Sequence, residues 1–381
     1  MAALSAPVTV AAPLAAPLRL VCGAVLPNRI AKAATSEHLG DPATGEPTPE
    51  LCALYESWAR GGAGLLVTGN VMVDGRFLEG PANVVVPIAS ASASGEEIAE
   101  PSELWRSWAA ACHSASSSRP TPLALVQLSH PGRQCPPSVL GLERPPAPSE
   151  VGFRLPGVGL PLFRSPRAMT TQEVESLPGQ FARAARFAVA AGFDGVQIHA
   201  AHGYLLSQFL SPHTNRRSDA WGGDAERRRA LLLRVVRSVR SSLGPSGVLS
   251  VKVNSRDFRK GGLSEAEALE TVASLWAAGA VDLVEVSGGT YEHMAAMMNS
   301  TGGDGFFLGF ARRVRLELPG LPVMVTGGFR SPGRAEAALS EGSCDVVGLC
   351  RPLCVDPALP AQWLRPAPME EAEEEAAASV A

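Results

Sequence analysis

GFDGVQIHAAHGYLLSQFLSPHTNRRSDAWGGDAERR, residues 192–228, contains one strand and its loop and opens the helix that follows. Residues 195–199 form a short, mostly apolar run, as expected for a parallel strand covered on both faces. A polar loop follows. From Arg227 to Leu243 basic residues alternate with a Leu/Val face, which predicts an amphipathic helix. Outward from this unit the same plan recurs. Apolar runs at 30–34, 64–68, 123–128, 248–253, 283–286, 323–325 and 346–349 bring the predicted strands to eight. Eight is the number that closes a (β/α)8 barrel. The fold class is therefore α/β, a (β/α)8 TIM barrel with loop insertions.

Helix punctuation separates the strands. Thr48 and Pro49 supply a cap and a first-turn proline, followed by Leu51, Leu54, Tyr55 and Trp58 on one face. Ser264 and Glu267 form a capping box ahead of 268–278, and Ser331-Pro332 opens a helix that ends near Gly342. Two insertions account for the extra length: one around 71–119, and a proline-crowded stretch at 131–166 expected to lie over the barrel mouth. The expected organisation is a flexible N-terminus over 1–18, one barrel domain over 19–366, and an acidic, disordered tail over 367–381.

Composition narrows the function. The 381 residues carry 33 Lys plus Arg against 37 Asp plus Glu, for a net charge of −4. That balance lacks the basic excess of a nucleic-acid binder. A hydrophobic share of 46% supports a real core and excludes wholesale disorder. Seven cysteines form no CxxC pair, which reads as reduced thiols in a cytoplasmic protein. No run approaches the ~20 apolar residues of a membrane helix. Residues 1–18 hold no Lys or Arg, so neither a secretory signal nor a transit peptide is expected there.

In a (β/α)8 barrel the active site lies where the strands end. Those ends present Thr35, Ser36, Asn70, Gln127, His199, Lys252, Ser287, Gly327, Gly328, Cys350 and Arg351. The late pair Gly327-Gly328 allows close backbone approach, and Arg351 offers a fork of donors to phosphate oxygens. Tight turns at the rim would use the same glycines. His199 and His202 sit three residues apart, directly after the fourth strand. Alone, such a pair is equally a metal site or two satisfied polar histidines. No carboxylate stands at these strand ends to complete a metal shell, since Asp257 and Glu292 lie further out. Two imidazole N–H groups suit a carbonyl oxygen that gains negative charge, and the phenol of Tyr204 could give a proton to carbon. A hydride source is still required, and no G-x-G-x-x-G follows a strand.

The 192–228 stretch resembles the signature of the old yellow enzyme family, flavin-dependent ene-reductases and NAD(P)H:flavin oxidoreductases. Seven further segments resemble that family in order: LPNRIAKAATSE (26–37), GGAGLLVTGNVMV (61–73), QLSHPGRQ (127–134), SVKVNSRDFRKGGL (250–263), VEVSGGTYE (284–292), VTGGFRS (325–331) and DVVGLCRPL (345–353). The resemblance implies a barrel holding FMN at its mouth, with NADPH or NADH as reductant. It implies activated C=C bonds of α,β-unsaturated carbonyl compounds as targets, reduced in ping-pong fashion by hydride passed through flavin N5. By the same resemblance, His199 and His202 bind the substrate carbonyl and Tyr204 donates the proton. Gln127 meets the flavin pyrimidine edge, Ala33, Ala34, Thr35 and Ser36 run along the ring, and Gly328, Cys350 and Arg351 contact the phosphate. Asn70 and Lys252 complete the cofactor set.

Some positions depart from the family pattern. Lys252 stands where many members carry arginine, and lysine cannot make arginine's bidentate fork. Thr35, Ser36 and Asn70 differ from the usual residues, and Cys350 replaces a glycine. The chain lacks the clustered cysteines of multidomain relatives and so resembles the single-barrel members. Expected partners are small enone, quinone or nitro substrates, with no nucleic acid and no membrane; association into a homo-oligomer is compatible with this reading. Two alternatives stand beside it: a flavin-binding protein with little turnover, and a metal-dependent barrel hydrolase using His199 and His202.

Overall fold

In the computed structural model, which describes residues 13–87, 98–115, 119–153, 163–290, 292 and 305–365, eight parallel strands pair in a closed ring. They are β1 (Ile30–Lys32), β2 (Leu65–Met72), β3 (Leu123–Ser129), β4 (Gly195–Ala200), β5 (Val248–Asn254), β6 (Leu283–Ser287), β7 (Val323–Thr326) and β8 (Val346–Leu349). Each pairs with the next, and β8 returns to β1 through Val347, Gly348 and Leu349. Around the ring run α1 (Pro49–Arg60), α2 (Glu103–Cys112), α3 (Thr171–Ala190), α4 (Leu205–Leu210), α5 (Ala225–Leu243), α6 (Glu265–Ala277), α7 (Leu308–Glu317), α8 (Pro332–Ser340) and α9 (Arg351–Val355).

Local signals act as the sequence suggests. Thr48 Oγ1 accepts from Leu51 N at 3.2 Å at the start of α1, and Ser264 with Glu267 closes a capping box on α6. A cap of this kind contributes about 1 kcal/mol. The helices bury their apolar faces against the outside of the ring, where Trp58, Trp105, Trp108, Phe181, Phe187 and Leu231 belong to one large core.

Three boundaries differ from expectation. β1 stops at Lys32, because its Nζ is tied to Tyr55 Oη at 3.0 Å, the Val67 carbonyl at 2.9 Å and Glu37 at 3.3 Å. β2 runs past Thr68 to Met72, since a register shift between Val67 and Asn70 absorbs Gly69 and lets pairing with β3 resume. The packed chain begins before Arg19: Leu14 is buried, and Leu18–Arg19 pairs antiparallel with Val25–Leu26. Leu20 and Leu26, either side of that hairpin's turn, join the core inside the ring. Residues 1–12 and 366–381, most of the expected flexible N-terminus and tail, lie outside the described residues. The 71–119 insertion holds the short strand Val84–Val85 and α2. The 131–166 stretch holds a helical turn at Pro137–Leu140 and the bridge strand Pro146–Ala147, which pairs Arg167–Ala168 just beyond it.

Alternation along the strands builds the site. Successive side chains point to opposite faces, so residues two apart share the inner face. Leu65, Val67, Leu125, Val248, Leu283, Met324 and Val346 fill the base of the barrel. Two and four positions further on, the same faces carry Gln127 and Ser129, Ser250 and Lys252, Glu285 and Ser287, and Thr326. On β4, Gln197 and His199 take those places. The interior is apolar below and polar at the mouth.

Candidate functional site

The polar mouth is one hydrogen-bonded set. Asn70 Oδ1 accepts from Gln127 Nε2 at 2.8 Å and lies 2.8 Å from His199 Nδ1. His199 Nε2 lies 3.0 Å from His202 Nδ1, and His202 Nε2 lies 2.8 Å from Ser287 Oγ. The Tyr204 ring lies over His199 with centroids 4.4 Å apart, and its hydroxyl donates to the Glu79 carboxylate. The three residues with expected chemical roles therefore converge.

Backbone geometry puts them there. His199 is the fifth residue of β4 and faces inward. His202 adopts a left-handed conformation with φ of 58°, a cost of order 1–3 kcal/mol for a side chain without special compensation. Its N–H donates to Asn254 Oδ1 at 3.1 Å, and Asn254 Nδ2 donates to the Gly289 carbonyl at 3.0 Å, so β5 and the loop after β6 hold the strained residue. Tyr204 precedes α4 and is buried; the next residue, Leu205, donates its N–H to the His130 carbonyl at 2.9 Å.

Both imidazoles are neutral. Burial holds His199 well below the ordinary histidine value, reinforced by the neighbouring His202, which a second proton would have to oppose, and by the charge of Lys252. Burial, with Lys252 adding to it, lowers His202 to about 3. A neutral imidazole donates from one nitrogen and accepts at the other, which suits hydrogen bonding to a polarised oxygen.

The expected cofactor residues form the facing arc. Ala33 N donates to the Leu349 carbonyl at 2.8 Å, and Thr35 Oγ1 lies 2.7 Å from Cys350 Sγ. The segment of Ala33, Ala34, Thr35 and Ser36 is thus laid against the end of β8. Ser36 Oγ is 3.5 Å from Asn70 Nδ2, which links this arc to the imidazoles. Lys252 is beside His199 in the ladder and forms an ion pair with Glu285 at 2.9 Å. Gly328 stands two residues beyond β7. Arg351 opens α9 with an exposed side chain, outside the hydrogen-bonded cluster.

Other residues join the site without a signal at the strand ends. Carboxylates do reach the site: Glu79 contacts Asn70 and Tyr204, and Glu285 lies inside the barrel beneath Ser287. The strand ends themselves carry no carboxylate; a loop and a deeper strand position bring these two into the site. Glu79 sits in a loop with no periodic signal. Glu285 precedes the strand end by two residues, and period-two alternation would have found it. Lys32 and Glu37, with Tyr55, brace the 33–36 segment from behind. A lysine inside an apolar strand was a readable sign. Among the described residues, no three His, Cys, Asp or Glu side chains gather as a metal site.

A flavin fits what remains unsatisfied. Gln127 Oε1 and Thr326 Oγ1 are buried at the mouth without a hydrogen-bond partner among the described residues. Leaving a buried polar atom so costs about 1–3 kcal/mol, which a bound polar ring would relieve. Gly328 has φ of +87°, and a Cβ there would lie 2.6 Å from Gly305 N. Only glycine leaves this backbone open.

The NADH:flavin oxidoreductase / NADH oxidase family matches over residues 13–365. The NADH-dependent flavin oxidoreductase iliE of Hypocrea jecorina is 39% identical over 368 residues, covering 90% of this chain and 87% of its own. The NADH oxidase of Thermoanaerobacter brockii is 32% identical over 341 residues, and this chain spans only 46% of its length. Among solved structures, the old yellow enzyme homologue of Zymomonas mobilis superposes with a TM-score of 0.73 at 27% identity, covering 93% of each chain. Morphinone reductase, at 24% identity and a TM-score of 0.72, shares the fold.

Proposed function

Because the chain belongs to the NADH:flavin oxidoreductase / NADH oxidase family, that of the old yellow enzymes, and is an FMN-dependent oxidoreductase, we propose that it reduces the activated C=C bond of α,β-unsaturated carbonyl compounds. Bound FMN would supply the hydride chemistry that links NADH or NADPH to the acceptor. Gln127, Thr326, the 33–36 segment and Lys252 would hold its ring, and Gly328, Cys350 and Arg351 its phosphate.

The observation that carries the proposal is the contact of His199 with both His202 and Tyr204. A carbonyl oxygen entering between the rings displaces the imidazole–imidazole hydrogen bond and takes up the N–H that made it. Such donors withdraw charge from the β-carbon and stabilise the enolate oxygen as it forms; removal of one donor of this type costs about 2.7–4 kcal/mol of barrier. Tyr204 Oη then supplies the proton to the α-carbon. Quinones and nitro compounds fit the same oxygen-binding pair without needing that proton. The burial of His199, Tyr204 and Gln127 keeps water from competing for these groups.

The test is anaerobic turnover of the FMN-loaded enzyme with NADH and cyclohexenone, with product identified by mass. Cyclohexanone supports the proposal; NADH oxidation only by oxygen, with the enone recovered intact, contradicts it.

A further inference from the structure

A carboxylate accepts hydrogen bonds and donates none, so beside an amide it decides which end of the amide faces it. Glu79, half-buried in the loop after β2, places Oε2 2.9 Å from Asn70 Nδ2 and takes the Tyr204 hydroxyl on the same oxygen. Its seat is fixed from behind. Asn83, itself buried, donates Nδ2 to Glu79 Oε1 at 3.2 Å and accepts the Glu79 N–H at 2.8 Å.

The consequence runs along the site. With Nδ2 of Asn70 turned to Glu79, Oδ1 faces His199 Nδ1 at 2.8 Å. That oxygen requires a hydrogen on Nδ1, and the neutral ring then has a bare Nε2. His202 Nδ1, 3.0 Å away, must carry the hydrogen of that contact, and His202 Nε2 accepts from Ser287 Oγ at 2.8 Å. One carboxylate orders four residues.

We propose that Glu79 is a positioning residue: it sets the direction of the hydrogen-bond chain Asn70–His199–His202–Ser287 and aims the Tyr204 hydroxyl. This builds on the reading of both imidazoles and Tyr204 as the substrate-handling groups. In the set direction the rings bond to each other, so an entering oxygen competes with that bond. Without the acceptor at position 79 the Asn70 amide turns over and donates to His199 Nδ1. Hydrogen then moves to His199 Nε2, which donates to His202 Nδ1, and His202 Nε2 donates to Ser287 Oγ, so the chain runs in reverse.

The test is ¹⁵N NMR of the FMN-loaded protein labelled at histidine. His199→Gln and His202→Gln assign their signals among the seven histidines. Wild type should show hydrogen on Nδ1 and a bare Nε2 at His199. Glu79→Gln keeps an oxygen acceptor and should keep this pattern, whereas Glu79→Leu should move the hydrogen to Nε2. With cyclohexenone, Glu79→Leu should lower kcat, because Tyr204 is no longer aimed. Hydrogen on Nε2 of wild-type His199 overturns the proposal without any variant, as does Glu79→Leu with the wild-type pattern. A protein that reduces no enone yet shows the predicted tautomers defeats the substrate reading and leaves the role of Glu79 standing. An active ene-reductase without them does the reverse.

Discussion

Lys252 Nζ and Glu285 Oε1 meet at 2.9 Å inside the barrel, with the two side chains 4% and 0% exposed. Gln197 Nε2 donates to the other Glu285 oxygen at 2.8 Å, so the carboxylate is held from two strands. The cation that the resemblance assigns to the flavin edge is thus already shared with an anion. Removing one partner of a buried pair leaves the other uncompensated, at about 3–5 kcal/mol. Lys252→Met should therefore lower both the denaturant midpoint and the FMN midpoint potential, since it removes positive charge and exposes FMN to Glu285. Glu285→Gln should raise the potential. Potentiometric titration of the two variants checks the opposite signs, and equal potentials would place Lys252 away from the cofactor.

Acid should destabilise the protein through its buried histidines. Burial lowers His130 to about 4 and His202 to about 3, and holds His199 well below the ordinary value. In the unfolded chain all three take up protons below about pH 6.5. The unfolded state then binds more protons than the native one, so stability falls as pH drops from about 6.5 toward the native values. Urea midpoints measured between pH 7.5 and 4.5 should decline across that window. His202→Gln should flatten the slope, and an unchanged slope would mean that His202 is protonated in the native state.

Gly328→Ala should weaken FMN retention with little effect on the barrel. The added Cβ meets Gly305 N at 2.6 Å and strains a φ of +87°. Gel filtration followed by flavin absorbance should show loss of FMN, while far-UV circular dichroism stays at wild type. Full retention would move the phosphate elsewhere.

The barrel was legible because its strands are apolar runs between capped helices, and periodicity reports burial directly. The imidazoles and Tyr204 were legible because they cluster in sequence after β4. Glu79 was not, since its contact with Tyr204 spans 125 residues and its loop has no repeating pattern. Glu285 was hidden differently: it lies on the inner face two residues deeper than the strand end. The start of the packed chain was less legible because, among the described residues before Leu20, Leu14 alone is buried, in an alanine- and proline-rich stretch.

The central claim is that Tyr204 gives the proton to carbon, and one substitution isolates it. Tyr204→Phe removes the hydroxyl and keeps the ring over His199. Stopped-flow measurement of both half-reactions in the FMN-loaded enzyme should show reduction by NADH within about twofold of wild type, because no phenolic proton enters that step. The reaction with cyclohexenone should slow by about 10²–10⁴-fold, the usual worth of a positioned general acid, while the reaction with a quinone is preserved. A Tyr204→Phe enzyme that reduces cyclohexenone at the wild-type rate would contradict the account.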